Sequence, residues 1–306
     1  MCARTDPVGD PVRLVVGFSE GSASNLVARM IAPALSTFLD QPVTIERLPG
    51  ENGALCAEHV GRAAPDGRTL AIAIQTHVIA SLLYRRKRYD PIADFAPVAM
   101  LARWPTVLAV SNTLGVTSVG QLVALARSRP GELVYGASAI GGSPHLSAML
   151  FGAMTGIDMR MRVYDETNTL YADLAEGRLA ATFNNSMSVL PHARAGRLRM
   201  LATTGALRSP AAPEVPTMAE AGVPGYEVVN WIGILAPSGT PPALLARLNE
   251  AAARAVQSPE VRELFAARGM EPAAASPADF GRHLRAEIDR WRRFIETNRA
   301  AFPQLQ

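Results

Sequence analysis

The stretch VRLVVGFSEGSASNLVARMIAPALSTFL, residues 12–39, decides how the rest of the chain is read. Val12 to Val16 is an unbroken β-favouring run that ends at Gly17. After a small polar segment, Val27, Met30, Ile31, Ala34, Leu35 and Phe38 recur at i, i+3, i+4, i+7, i+8 and i+11, the stripe of a helix laid against a sheet. This is a β-loop-α unit. Pro33 falls inside the stripe and predicts a lost hydrogen bond or a bend.

The alternation continues outward. Val43 to Glu46 and Leu70 to Ile74 read as strands, with a glycine loop at Gly50 to Gly53, a helix at Leu55 to Ala64 and a Pro65-Asp66-Gly67 turn between them. Apolar runs without alternation predict a mainly parallel sheet covered on both faces. Further strands are expected at Val98 to Leu101, Thr106 to Val110, Leu133 to Gly136, Arg160 to Tyr164, Ala180 to Asn184, Leu198 to Thr204 and Trp231 to Ala236. Helices are expected at Val119 to Arg127, Pro144 to Met154 and Thr169 to Ala175, followed by two long helical segments near the end. In the last of these Ser276 caps a helix with Asp279 three residues on, and Phe280, Leu284, Ile288, Trp291 and Ile295 form its buried stripe. Strands alternating with helices throughout mean an α/β fold.

Composition bounds the function. The 306 residues are 48% hydrophobic and 19% charged, which excludes disorder and fibre and suits a well-packed soluble protein of about two domains. A net charge of +3 gives no nucleic-acid footprint, and the one dense basic run, Arg85, Arg86, Lys87 and Arg88, reads as a solvated turn before Asp90-Pro91. Cys2 and Cys56 make neither a disulfide framework nor a zinc motif. The longest apolar stretch, Leu70 to Leu83, is broken by Gln75, Thr76, His77 and Ser81 and is too short to span a bilayer. Asp6, Asp10 and Arg13 leave no apolar core for a signal peptide, so either the protein is cytosolic or its export signal is missing from this sequence.

Two loops carry candidate chemistry. Gly17-Phe18-Ser19-Glu20-Gly21 matches G-x-S-x-G between a strand and a helix, and Ser19 with His192 or His283 would then be a hydrolase nucleophile and base. Against this, the caps lie three to five residues beyond the serine and no oxyanion segment precedes it. The other reading is a cradle: Ser19, Gly21, Ser22, Ser24 and Asn25 put hydroxyls and backbone N–H groups at a helix N-terminus, where an anion is favoured. Residues 136–143, GASAIGGS, have the same character ahead of Pro144. Two cradles suit an acid with two heads. No dinucleotide or phosphate-loop motif is present, and His59, His77, His145, His192 and His283 lack metal spacing, so neither cofactor nor metal is expected. His77 and His145 stand out because each sits at a βα junction.

The order of short motifs then resembles a known family. The 14–18 segment LVVGF, PDGRTL at 65–70, YDP at 89–91, DFAPV at 94–98, GGSPHL at 141–146, LPH at 190–192, AGRLR at 195–199, VPT at 215–217 and APSGTP at 236–241 are similar to the Bug family, the extracytoplasmic solute-binding receptors of tripartite tricarboxylate transporters. The resemblance implies a type II periplasmic-binding-protein fold. One lobe would comprise residues 1–105 and 232–306 and the other residues 106–231, with a small organic acid held in the cleft by hinge closure. It implies a periplasmic monomer, not an enzyme, whose partners are the ligand and integral membrane permease subunits. It also implies ligand contacts from Phe18, Ser19, Gly21, Ser22, Ala23 and Asn25, from Thr76 and His77, and from Ser138, Gly141, Gly142, Ser143, His145, Tyr164, Asp165 and Asn184.

The departures cluster at these positions. The family's Pro-Gly-Gly turn and following aspartate are here Glu20-Gly21-Ser22 and Asn25, its Tyr-Lys-Gly is Tyr164-Asp165-Glu166, and Ala180 and Asn184 replace frequent aspartates. Glu20, Asp165 and Glu166 either face solvent or redirect the pocket from plain dicarboxylates toward a monoacid, an aromatic or an amino-bearing acid. A sensory or orphan receptor is the variant reading.

Overall fold

The computed structural model describes residues 10–20, 22–83, 88–138, 140–210 and 212–298, without the side chain of Met187. Cys2, Gly21 and the basic residues Arg85, Arg86 and Lys87 lie outside the described residues. In chain order the elements are β1 (Val12–Val16), α1 (Ala23–Leu39), β2 (Val43–Arg47), α2 (Ala54–Gly61), β3 (Thr69–Ile74), α3 (Thr76–Leu83), β4 (Phe95–Ser111), α4 (Val119–Ser128), β5 (Val134–Ala137) and α5 (Ser143–Thr155). There follow β6 (Arg160–Val163), α6 (Thr167–Ala175), β7 (Ala181–Asn185), α7 (Ser186–Arg194), β8 (Leu198–Thr203), β9 (Val229–Pro237), α8 (Pro242–Gln257), α9 (Pro259–Ala266), β10 (Glu271–Pro272) and α10 (Pro277–Thr297). Contacts divide the chain into a first unit, Met1–Arg103 with Trp231–Ala266 and Met270–Gln306, and a second unit, Trp104–Asn230 with Ala267–Gly269.

In the first unit β1 is flanked in parallel by β2 (Val12↔Val43) and β3 (Arg13↔Thr69), and β9 runs antiparallel to β3 (Ile74↔Ile232). Because β1, β2 and β3 run the same way, the loops that follow them leave from one edge of the sheet. Val15, Ala71, Ala73, Trp231 and Leu235 join Phe280, Leu284 and Ile288 of α10 in one core. The α10 stripe is buried as its spacing predicts, including Trp291 and Ile295. Each such side chain contributes about 1.5–3 kcal/mol of burial, enough to dock a helix that otherwise faces water. Ser276 caps it, accepting from the Asp279 N–H at 3.1 Å.

The second unit repeats the logic with β5 between β6 (Val134↔Arg160) and β7 (Tyr135↔Ala181), all parallel. The far half of β4 pairs antiparallel with β7 and β8. Val107, Ala109, Leu170, Leu174, Leu179 and Val189 fill its core.

Several expectations change. The two strands anticipated around Pro105 are one strand, β4, because the sequence change at Pro105 marks a switch of pairing partner: Ala102 and Arg103 pair with β10, and Thr106 onward with β7 and β8. The apolar stretch after Leu70 hides a strand-to-helix change at Gln75, whose carbonyl caps α3 by accepting from Val78 and Ile79 (3.1 and 3.2 Å). The helix α7 forms despite Pro191, with Val189 and Leu190 buried. Pro33 is tolerated because it lies on the exposed side of α1, between buried Ile31 and Leu35. The segment after Pro241 holds three helices, since Ser258-Pro259 separates α8 from α9.

Candidate functional site

The first loop is shaped by close approach. A Cβ on Gly17 would lie 2.8 Å from the Gly53 Cα and 3.0 Å from the Cys56 Cβ, so only glycine lets β1 leave the sheet beside the turn that precedes α2. Phe18 lies over Gly53 in the same contact, half-buried. Next to it Glu51 and Asn52 hold positive φ (47° and 53°), a conformation that costs non-glycine residues on the order of 1–3 kcal/mol. Arg88 braces this turn with two bonds to the Glu51 carboxylate (2.6 and 2.7 Å) and one to Glu58 (2.9 Å). Burial pushes the Cys56 thiol up to about 12, so it is inert.

At the start of α1, Ser22 is the N-cap: its Oγ accepts from the Asn25 N–H (3.3 Å) and meets the Ser24 Oγ at 3.1 Å. Asn25 is fully buried; its Oδ1 accepts from Arg29 Nε (3.2 Å), and its Nδ2 has no partner among the described residues. Glu20 is exposed and paired with both Arg29 and Arg47, the latter at 3.4 Å. Neither arginine belongs to a motif that singles it out. The i, i+4 spacing of Asn25 and Arg29 is the sequence signal for one, and the Val16↔Arg47 register supplies the other.

Thr76 is half-buried where β3 turns into α3. His77, expected to touch ligand, is buried and packed: its Nε2 lies 3.2 Å from the Pro91 carbonyl, its ring stacks on Tyr89 (5.1 Å) and meets Phe95 edge-on (4.7 Å), and it also lines a small cavity. Burial drives its pKa down to about 4, only partly opposed by the Pro91 bond, so it is neutral at physiological pH. A cavity of about 20 Å³ lies between the Gly17-Phe18 turn, Gly53, Thr76 and His77, room for about one water.

The second loop starts at Gly136, where a Cβ would meet Leu179 at 2.7 Å and Leu170 at 2.9 Å. Ser138 is exposed, Gly141 has φ +78°, and Gly142 occupies the N-cap of α5 without a side-chain cap. His145 folds back so that its Nδ1 accepts from the Gly141 N–H at 2.9 Å. That bond fixes the imidazole with Nδ1 unprotonated, and burial lowers its pKa to about 4. His145 therefore holds the loop rather than offering it a charge. The Ser143 Oγ is buried with no partner among the described residues.

Of the remaining expected contacts, Tyr164 has a structural role: its hydroxyl donates to Asp173 (2.5 Å) and receives from Arg162 (3.4 Å), while its ring packs with Leu170 and Leu174. Asp165 and Glu166 are exposed at the start of α6, where negative charge suits the helix dipole. Asn184 is half-buried, its Oδ1 accepting from the Asn185 N–H (2.9 Å). Ser138, Ser143 and Asp165 thus follow parallel strands at one edge of the second sheet and Asn184 lies near the end of the third, as Phe18, Ser22, Asn25 and Thr76 follow strands in the first.

The hydrolase reading of Ser19 fails on local geometry. A nucleophile elbow starts its helix at the serine, whereas Ser19 is exposed, its carbonyl accepts from the Ser22 N–H (3.1 Å), and α1 begins four residues later. His192 packs on Tyr171 in the second unit, and His283 sits on α10 against Trp231.

Comparison with known proteins places this geometry. Residues 27–299 match the TctC family, described as tripartite tricarboxylate transporter family receptor. Protein BugT of Bordetella pertussis is 34% identical over 283 residues, 92% of this chain and 87% of that protein. The structure of R. palustris Rpa4515 with adipate superposes with a TM-score of 0.83 at 41% identity, covering 95% of this chain and 98% of that one. MatC (Rpa3494) from Rhodopseudomonas palustris with bound malate gives a TM-score of 0.80 at 30% identity, covering 93% and 98%. The α/β fold is that of these binding proteins, and the chain belongs to the TctC family of tripartite tricarboxylate transporter receptors.

Proposed function

We propose that this protein is a periplasmic receptor, monomeric and without catalysis or cofactor, that captures a small aliphatic dicarboxylate between its two units, closes on it and delivers it to the membrane components of a tripartite transporter. The observation that carries the reading is that each unit has a glycine- and serine-rich βα loop with a buried donor lacking a partner among the described residues: Asn25 Nδ2 in one and Ser143 Oγ in the other. Ser19, Ser22 and Ala23 on one side and Ser138, Gly142 and Ser143 on the other would hold the two carboxylates through backbone N–H groups and hydroxyls. The adipate-bound and malate-bound relatives support the ligand class. Closure would select the liganded shape that a membrane partner recognises.

The test is thermal denaturation with adipate, malate, succinate, aromatic acids and amino acids. A ligand at 100 times its Kd adds about 2.7 kcal/mol, a shift of several degrees. Aliphatic dicarboxylates are expected to produce it. No shift with any aliphatic acid from protein stripped of bound solute would sink the proposal.

A further inference from the structure

Glu20, Asn25 and Arg29 of the first loop and its helix form one network with Arg47 of β2. Glu20 pairs with Arg29 and Arg47, and Arg29 donates through Nε to Asn25 Oδ1 at 3.2 Å. A guanidinium carries donors only, so the Asn25 atom it meets is the oxygen, and the orientation of the amide is fixed by chemistry. With Oδ1 taken by Arg29, the amide of Asn25 keeps Nδ2 as its uncommitted end in the first turn of α1. There Nδ2 is buried on a fully buried residue and lacks an acceptor among the described residues.

We infer that Asn25, locked by Arg29 and Glu20, is a specificity residue: it presents a fixed N–H donor that accepts a carboxylate, carbonyl or hydroxyl oxygen of the ligand and rejects an ammonium group. An ammonium has donors only, and would leave two sets of donors facing each other. The two arginines and one glutamate also sum to +1, which favours an anion and opposes a cation. The network joins two departures from the family pattern: Glu20 supplies the negative charge for Arg29 that an aspartate at position 25 would otherwise provide. The inference rests on the receptor reading and narrows it to acids without an amino group on this side.

The test is calorimetric titration of the full chain with matched pairs, succinate against L-aspartate and glutarate against L-glutamate, which differ by one ammonium group. The dicarboxylate of each bound pair is expected to bind at least tenfold tighter. Asn25→Asp, an isosteric change that replaces the donor by an acceptor, should move the ratio toward the amino acid by at least tenfold, with the unliganded melting temperature reporting that the fold persists. Glu20→Gln should narrow the ratio by less. Equal affinities within a pair, or an unchanged ratio in a folded Asn25→Asp protein, overturns the inference alone. Silence from both pairs and from adipate overturns the receptor reading and the inference with it.

Discussion

The loop after β1 and the loop after β5 both lead a buried strand into a helix through glycine and serine, yet they are held differently. In the first, polar side chains act on one another: Ser22 caps α1, Ser24 meets Ser22, Glu20 pairs with Arg29 and Arg47, and Arg29 bonds Asn25. In the second, the hold comes through a neutral group. Gly142 stands at the N-cap, Pro144 brings no N–H, and one neutral imidazole ties the loop through Gly141. The first loop is held in a network that salt and charge changes can reach; the second is tied by the buried Gly141–His145 hydrogen bond. Similar small-residue composition therefore leads to two different sensitivities.

Acid affects both units. His77 in the first and His145 in the second have pKa values lowered to about 4 by burial. Below about pH 6.5 the unfolded chain protonates both imidazoles while the folded protein does not until about pH 4. Stability is thus full above 6.5 and falls across that window, by about 1.4 kcal/mol per pH unit for each histidine. Melting temperatures measured from pH 7.5 to 4.5 should fall steeply, and His145→Asn, which keeps an acceptor for Gly141 but cannot titrate, should remove part of the slope, the rest staying with His77, His192 and His283. A flat profile would mean that neither histidine is held neutral. At pH 7.5, His145→Ala should cost about 2–3 kcal/mol by leaving the Gly141 N–H unsatisfied, and asparagine should recover part of it.

The parts of the molecule that are legible in the sequence share a physical cause. The stripe Phe280, Leu284, Ile288, Trp291 and Ile295 is long and periodic, so its burial follows from spacing. The β1–α1 unit is readable for the same reason, and so is the cap Ser276. What stays hidden involves long-range partners. Nothing local tells that Pro105 lies within a continuous strand, because the strand changes neighbours there. Nor does residue type tell that Tyr164 turns to Asp173, or that His77 stacks on Tyr89. Glu20 reads as a liability because its partners come from α1 and β2 and are invisible at sequence distance.

The strand-end glycines offer a sharper contrast. At Gly17 the obstacle to a Cβ is the Gly53 Cα at 2.8 Å, which can move only if the backbone moves. At Gly136 the nearest atom is the Leu179 Cδ1, the far end of a side chain, with Leu170 behind it. Gly17→Ala is expected to cost about 3 kcal/mol and Gly136→Ala about 1–2 kcal/mol, read from urea midpoints. Equal losses would mean that both loops are limited by backbone contact.

The smallest effect separates the two serines that open the helices. The Ser22 hydroxyl accepts from the Asn25 N–H, so Ser22→Ala removes a cap and should cost about 1 kcal/mol. The Ser143 hydroxyl is buried without a partner among the described residues, and Gly142 already occupies the N-cap, so Ser143→Ala should leave the unliganded protein within about 0.5 kcal/mol of the wild type. With adipate present the order should reverse for Ser143. If its hydroxyl donates to a ligand carboxylate, the alanine protein loses part of the ligand-induced melting shift while keeping its unliganded melting temperature. An unliganded loss as large as that of Ser22→Ala would show instead that the Ser143 hydroxyl is needed by the fold.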